Sequence, residues 1–348
     1  MKFLLYGANG YTGQLILQYA RQYDLTPVLA GRNEVKIKQL AEKSGYEYLI
    51  FDLSDQAKTQ EALADFEVVL HVAGPFIHTA RPMIEACIAT NTHYLDITGE
   101  IEVFELASNY DATAKAAGIM VMPGTGFDVV PTDCTAAFLK KQLSDATHLE
   151  LAFANVGGSI SHGTAMTAVE NLGNPGMERQ DGKIVEVPIA KHERWIDFSG
   201  KKRYFASISW GDVSTAYHST GIPNVITYMG MPPSQGRWMR WSRYFGWLLR
   251  MQWVKNFAKN KIDSRPAGPS DEQRTRAKCL VWGKVSNAKG ESKEVKMTVP
   301  EGYTLTAHSS LAITRKVLSG HAPVGFQTPS NAYGADFILQ FAGVEREN

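Results

Sequence analysis

Short apolar runs and longer amphipathic stretches alternate from the start of the chain. Residues 3–6 are apolar and read as a strand. Residues 12–23 then set Leu15, Ile16, Tyr19 and Ala20 on one helical face. Further strands are predicted at 26–30, 48–51, 68–72, 94–97 and 119–122. Helices are predicted at 34–44, at a short stretch ending over 60–63, and at 81–90 and 103–116. Short strands separated by helices predict a doubly wound parallel sheet. Ligands on such sheets sit at the carboxyl ends of the strands, so each strand-end turn is a candidate site wall.

After Leu149 the rhythm changes. Strand-like runs appear at LELAFANV, KRYFASIS, NVITYMG, AKCLVWGKVS and SKEVKMTV, with less helix between them. These predict an α+β domain with a mostly antiparallel sheet, serving substrate binding or dimerisation. A helical pattern returns over 305–319, followed by 328–341. The predicted division is a Rossmann domain over 1–130, the α+β domain over 131–305, and a C-terminal segment, 306–348, docking back on the first. The clearest exposed loop is SRPAGPSDEQR at 264–274.

Composition narrows the class. The chain has 348 residues, 44% of them apolar and 20% charged, with a formal net charge of +1. That balance argues against a nucleic-acid partner. Three scattered cysteines, Cys87, Cys134 and Cys279, suit neither a disulfide framework nor a zinc site, and fit a reducing cytoplasm. Met1-Lys2 lead straight into the first strand, with no signal-peptide pattern, and no apolar run is long enough to span a membrane.

The first strand breaks into Gly7-Ala8-Asn9-Gly10-Tyr11-Thr12-Gly13. Gly7 would allow the tight turn, Gly10 the approach of a pyrophosphate, and Gly13 close packing of the helix. The helix that follows points its amides and positive dipole end at the phosphates. At the end of the second strand the chain reads LAGRN, with Arg32 and no acid before Glu34. An arginine there suits the extra phosphate of NADP(H), whereas NAD sites favour an acid. Asp52, ending the third strand, could accept from the adenine amino group or cap a helix over 54–58. The same glycine spacing occurs in short-chain dehydrogenases, which use a Tyr-x-x-x-Lys pair. None of the 14 tyrosines here has a lysine four residues later, so that chemistry is set aside.

The later turns supply a replacement. GANGYTG, AGR, AGPF at 73–76, HYLDITGE at 93–100 and GFDVVPTD at 126–133 occur in order. Together they resemble the saccharopine dehydrogenase-like oxidoreductases, a group including saccharopine reductases and trans-acting enoyl reductases. GTAMT at 163–167 and VGFQTPSNAYG at 324–334 extend the resemblance to both ends of the chain. Where the family often has a glycine soon after AGPF, this chain reads Ile77-His78-Thr79-Ala80.

By position, the resemblance implies that Ala73, Gly74 and Pro75 border the nicotinamide-side ribose. Gly99 and Glu100 would lie further along that cleft, with Gly124, Gly126, Phe127 and Asp128 as its floor. The implied reaction is hydride transfer between NADP(H) and an electrophilic carbon of a C=N, C=C or C=O group. His162 and Asp128 are the candidate proton donors, and a water is the alternative. His162 also reads as a structural histidine, and Asp133 as a cap for a helix over 134–142. The other readings are an NADP(H)-binding redox sensor without catalysis and a membrane-associated interaction protein.

One segment stands outside these motifs. Residues 213–262 contain no Asp or Glu. Within them, 236–261 carry Trp238, Trp241, Trp247 and Trp253 among seven Lys and Arg. As a helix, Trp238, Trp241, Phe245, Leu248 and Leu249 form one stripe, which Trp247 and Met251 spoil on the other side. The segment suits a membrane interface, the mouth of a lipid-like substrate site, a homodimer contact or a buried helix with snorkelling arginines. The sequence leaves these open.

Overall fold

The computed structural model describes residues 1–263 and 266–347. They form two compact units: Met1–Val130 with Tyr303–Ala332, and Pro131–Gly302 with Tyr333–Asn348.

The first unit alternates strand and helix as the apolar pattern predicts. Its strands are β1 (Lys2–Tyr6), β2 (Thr26–Gly31), β3 (Tyr48–Ile50), β4 (Val68–His71), β5 (His93–Asp96) and β6 (Met120–Met122). The intervening helices are α1 (Tyr11–Ala20), α2 (Glu34–Ser44), α3 (Gln56–Leu63), α4 (Phe76–Thr90), α5 (Ile101–Asn109) and α6 (Asp111–Ala116). Phe3, Leu4 and Leu5 of β1 and Val68–Leu70 of β4 are wholly buried. A strand covered on both faces reads as a continuous apolar run, which is why these were legible. Helix α2 is capped locally: the Asn33 side chain accepts from the Lys36 amide, and Gly45 closes the helix at φ +74°.

The second unit begins with α7 (Val130–Gln142), β7 (His148–Val156) and α8 (His162–Glu170). It continues through β8 (Gly176–Gln180), β9 (Lys183–Val187), β10 (Glu193–Phe198), β11 (Lys201–Ser207), α9 (Asp212–Thr220) and β12 (Asn224–Gly230). Helices α10 (Pro233–Ser242), α11 (Gly246–Leu249), α12 (Gln252–Asp263) and α13 (Asp271–Arg276) precede β13 (Lys278–Ser286) and β14 (Ser292–Pro300). The chain then forms α14 (Gly302–Leu318) and β15 (Gly325–Phe326) in the first unit. It ends with α15 (Pro329–Tyr333) and β16 (Glu345–Glu347).

The first sheet has the order β15-β6-β5-β4-β1-β2-β3, and every pairing is parallel. The second runs β10-β11-β12-β7-β13-β14-β16, with β8 attached to β12 and β9 to β8. It is antiparallel except between β12 and β7. The expected Rossmann sheet, mostly antiparallel second sheet and returning C-terminal helix are therefore all present. The sequence reading assigned all of 306–348 to the first domain; here residues 333–348 lie in the second unit, where β16 pairs with β14.

Several local expectations are corrected. Helix α4 starts at Phe76 rather than residue 81, and Pro82 lies inside it. The predicted helix over 103–116 breaks at Tyr110 into α5 and α6. Over 328–341 there is only α15 and a 3₁₀ turn at Phe337–Gln340. Strands β8 to β10 were not anticipated, because polar residues interrupt their alternation: GMERQ, KIVEV and ERWIDF. Of the predicted loop 264–274, residues 264 and 265 lie outside the described residues. Its end is helix α13, capped by Ser270 and Gln273 in a reciprocal box. Asp133 lies in the first turn of α7 rather than ahead of it, buried and accepting from the Ser219 hydroxyl.

Candidate active site

The glycine loop is dictated by crowding on its inner side. Gly7 has φ +92°, and a Cβ there would come within 2.8 Å of Ala73. A Cβ on Gly13 would stand 2.6 Å from the Ala8 carbonyl and 2.7 Å from that of Gly7. Glycine at both positions lets α1 start hard against the end of β1. Gly7 and Ala8 both donate their amides to the Ala30 carbonyl, at 2.8 and 3.3 Å, tying the loop to β2. A Cβ at Gly10 would meet only the Gly7 carbonyl, at 3.3 Å, so its outer side is open. Gly10 caps α1 without a side-chain hydrogen bond, leaving a positive dipole end facing that opening. Asn9, Tyr11 and Thr12 line the same turn, half-buried. The Tyr11 ring is held edge-on by Tyr303 of α14, centroids 5.2 Å apart.

Arg32 and Asp52 come together beside this loop. Both are exposed, and they sense each other's charge together with Tyr6. Asp52 accepts the Ser54 amide at 2.9 Å, and hydrogen bonds from Ser54, with Arg32 behind them, hold its carboxyl below the usual range. The helix cap of α3 is Asp55, not Asp52. Arg32 makes no ion pair among the described residues. A guanidinium at this strand end, beside open helix amides, fits a ribose phosphate.

Further along the carboxyl edge, the turns that carry Ala73, Gly74, Pro75, Gly99 and Phe127 also carry three carboxyl groups, Asp96, Glu100 and Asp128. Glu100 accepts the amides of Phe76 at 2.9 Å and Ile77 at 2.7 Å, so it caps α4 from across the turn. Burial pushes its pKa up, and those two amides pull it back. Asp96, at the end of β5, is wholly buried. It accepts from Tyr94 Oη at 2.6 Å and from the Thr98 and Gly124 amides at 2.9 Å each. Its backbone carbonyl takes both the amide and the hydroxyl of Thr125, at 2.7 Å each. Asp96 thus fixes the 123–126 turn to β5. Burial pushes this carboxyl up to about 7, against three donors that favour the ionised form.

Asp128 packs against Gly99: a Cβ on Gly99 would stand 2.7 Å from Asp128 Oδ2. Burial, and then the charge of Glu100, push the Asp128 carboxyl up to about 7. Phe127 is buried, and its amide donates to Thr306 Oγ1 at 2.9 Å. Among the described residues, no group of three His, Cys, Asp or Glu is arranged to hold a metal ion. His162 belongs to the second unit. It opens α8 behind the Ser161 cap, and its amide donates to the Ala267 carbonyl at 2.8 Å.

Sequence reasoning placed Glu100 in the cleft without seeing that it caps α4, and it missed Asp96, Tyr303 and Thr306. Asp96 carried a readable signal, an acid ending an otherwise apolar strand. The other two lie about 180–290 residues from their partners, beyond the reach of any local pattern.

Residues 3–122 match the family model described as the saccharopine dehydrogenase NADP binding domain. A saccharopine dehydrogenase-like oxidoreductase from Mus musculus is 25% identical over 202 residues, covering 51% of this chain and 47% of that protein. A trans-acting enoyl reductase from Mycobacterium ulcerans (strain Agy99) is 28% identical over 163 residues, covering 44% of this chain and 39% of its own. The chain thus spans about half the length or less of these curated relatives. Among solved structures, apo saccharopine dehydrogenase (L-Glu forming) from Saccharomyces cerevisiae aligns with a TM-score of 0.68 at 14% identity, over 99% of each chain. That likeness concerns the fold. The resemblance read from the turn motifs is thus matched over residues 3–122, which are similar to the saccharopine dehydrogenase NADP binding domain.

Proposed function

We propose that this relative of the saccharopine dehydrogenase-like oxidoreductases is an NADP(H)-dependent oxidoreductase acting on a C=N, C=C or C=O group. The observation that carries the reading is one sheet edge joining an open glycine loop and Arg32 to Glu100 and Asp128. The loop amides and α1 would hold the pyrophosphate, Arg32 the ribose phosphate, and Ala73, Gly74 and Pro75 the nicotinamide-side ribose. Bound NADPH supplies a hydride. Asp128, with its carboxyl near 7, supports the role of a group that holds a proton at neutral pH and gives it to the substrate. Asp96 keeps the 123–126 turn in place around it.

The enoyl reductase relative favours a C=C bond. An apolar, lipid-like substrate fits a chain whose second unit exposes many aromatic side chains. A cytoplasmic setting fits three buried cysteines that form no disulfide among the described residues.

The test gives purified protein NADPH or NADH with imines, enones and lipid ketones, and follows nicotinamide absorbance. Turnover with preference for NADPH is expected. Tight NADPH binding without turnover on any substrate would replace the enzyme with a redox sensor.

A further inference from the structure

A surface helix normally buries its apolar stripe and exposes its charges. Helices α10 to α12 expose large apolar side chains alongside their cations. Among the described residues, 16 large apolar side chains are exposed, and eight of them fall between Trp238 and Phe257. Trp241 is 68% exposed, Trp253 64% and Phe257 70%. They follow helical spacing on the outer face: Trp238, Trp241 and Phe245 on and just past α10, Trp253 and Phe257 one turn apart on α12.

The inner face of the segment is attached by small and cationic residues. Gly236 lies against Tyr204, and a Cβ there would meet its ring at 2.6 Å. Met239 packs on Ala190, Tyr204 and Met231. Ala258 and Ile262 pack on Ala165 and Val169 of α8. Lys255 Nζ donates to the Glu170 carbonyl at 2.6 Å, Lys259 pairs with the Glu170 carboxylate at 2.5 Å, and Arg250 donates to the Gly173 carbonyl at 3.1 Å. Trp195, 60% exposed, stands edge-on to Tyr204 and extends the aromatic surface.

The charge of this surface is one-sided. Residues 237–261 carry seven Lys and Arg, and no acid occurs over 213–262. Arg240 pairs with Glu193 and Lys259 with Glu170, both acids from elsewhere in the unit. Arg243 lies over the Tyr244 ring at 4.7 Å and donates to its hydroxyl. Tryptophan and tyrosine interleaved with arginine is the chemistry of a bilayer interface, where rings enter the headgroup layer and cations meet lipid phosphates. A symmetric dimer through this face would set each copy's cations against the same cations. No helix among the described residues is long and apolar enough to cross a membrane.

We propose that α10–α12 dock the second unit on the surface of an anionic phospholipid membrane, with the exposed tryptophans inserted at headgroup depth. The contact is peripheral and stands independently of the reaction proposed above.

The test is co-sedimentation of the intact protein with phosphatidylcholine vesicles, with and without phosphatidylserine. Pelleting is expected with the phosphatidylserine vesicles and should weaken at raised salt. Trp241→Ala and Trp253→Ala should each lower the partition coefficient about tenfold, and Arg237→Gln about fivefold. These side chains are exposed, so NADPH binding and the thermal midpoint should stay unchanged in each variant. Absence of pelleting with both vesicle types overturns the proposal, as does pelleting that the three variants leave intact. A concentration-dependent dimer abolished by Trp241→Ala, or salt-sensitive binding to single-stranded RNA without vesicle binding, would instead assign the face to those partners.

Discussion

At the residue scale, two side chains carry most of the chemistry proposed for the first unit. Arg32 stands exposed beside Asp52 at the ends of β2 and β3. A charge-assisted bond to phosphate contributes about 1.5–3 kcal/mol. Arg32→Ala should therefore raise the Kd for NADPH by roughly ten- to a hundredfold and leave that for NADH nearly unchanged, as a fluorescence titration would read. Asp128 makes a prediction in pH. Its ordinary carboxyl value is raised to about 7 in the fold. Between those two values the folded state keeps a proton that the unfolded state has lost, so stability falls as pH rises through that window. Reduction needs the proton in place, so kcat should also fall above about 7. Asp128→Asn should make the first profile shallower in thermal melts, with Asp96 keeping part of the slope, and lower kcat by about a hundredfold. A kcat indifferent to Asp128→Asn would pass the proton role to another group or to water.

At the element scale, α4 shows why a fully local reading falls short. Its first turn lacks a Ser, Thr, Asp or Asn cap, and Pro82 interrupts the helical pattern, so the sequence suggests a start near residue 81. The cap comes from Glu100, 24 positions away, accepting the Phe76 and Ile77 amides. Removing it takes the acceptor from two amides at a partly exposed helix start. Glu100→Ala should destabilise the protein by about 1–2 kcal/mol, whereas Glu100→Gln, which keeps one acceptor, should lose less; denaturant unfolding would rank them. By contrast, α2 is capped by the adjacent Asn33 and was placed in full, whereas for α3 only the end was placed and the cap proved to be Asp55 rather than Asp52. The glycine loop was legible for the same reason as α2, since all three glycines answer to neighbours set by β1, β4 and α1. The aromatic segment was legible in composition but not in orientation. Periodicity found a stripe over Trp238, Trp241 and Phe245 without telling which side of it met solvent, because only the packing of Gly236, Met239 and Ala258 decides that.

At the scale of the whole molecule, the nucleotide-binding unit is completed by chain from beyond Gly302. Helix α14 buries Leu305, Leu311, Ile313 and Val317. It also gives Thr306 Oγ1 to the Phe127 amide and Ser309 Oγ to the Thr125 carbonyl, at 2.9 and 2.7 Å. His308 reaches Tyr23 Oη at 2.9 Å and lies against the Tyr19 ring. Strand β15 then adds the seventh strand beside β6. Burying four such side chains stabilises a fold by about 1.5–3 kcal/mol each, which rivals the ~5–15 kcal/mol that a whole domain retains. A fragment of residues 1–130 holds every glycine of the loop, Arg32, Asp52 and Asp128, yet it lacks this helix and strand. It should therefore fail to show cooperative unfolding and should bind NADPH weakly or not at all. Joining residues 303–332 to it by a flexible linker should restore both, with added NADPH raising the melting midpoint. Circular dichroism melts with and without NADPH would separate the two fragments. Equal folding and binding by the shorter one would show that the turn around Asp128 holds its shape without α14.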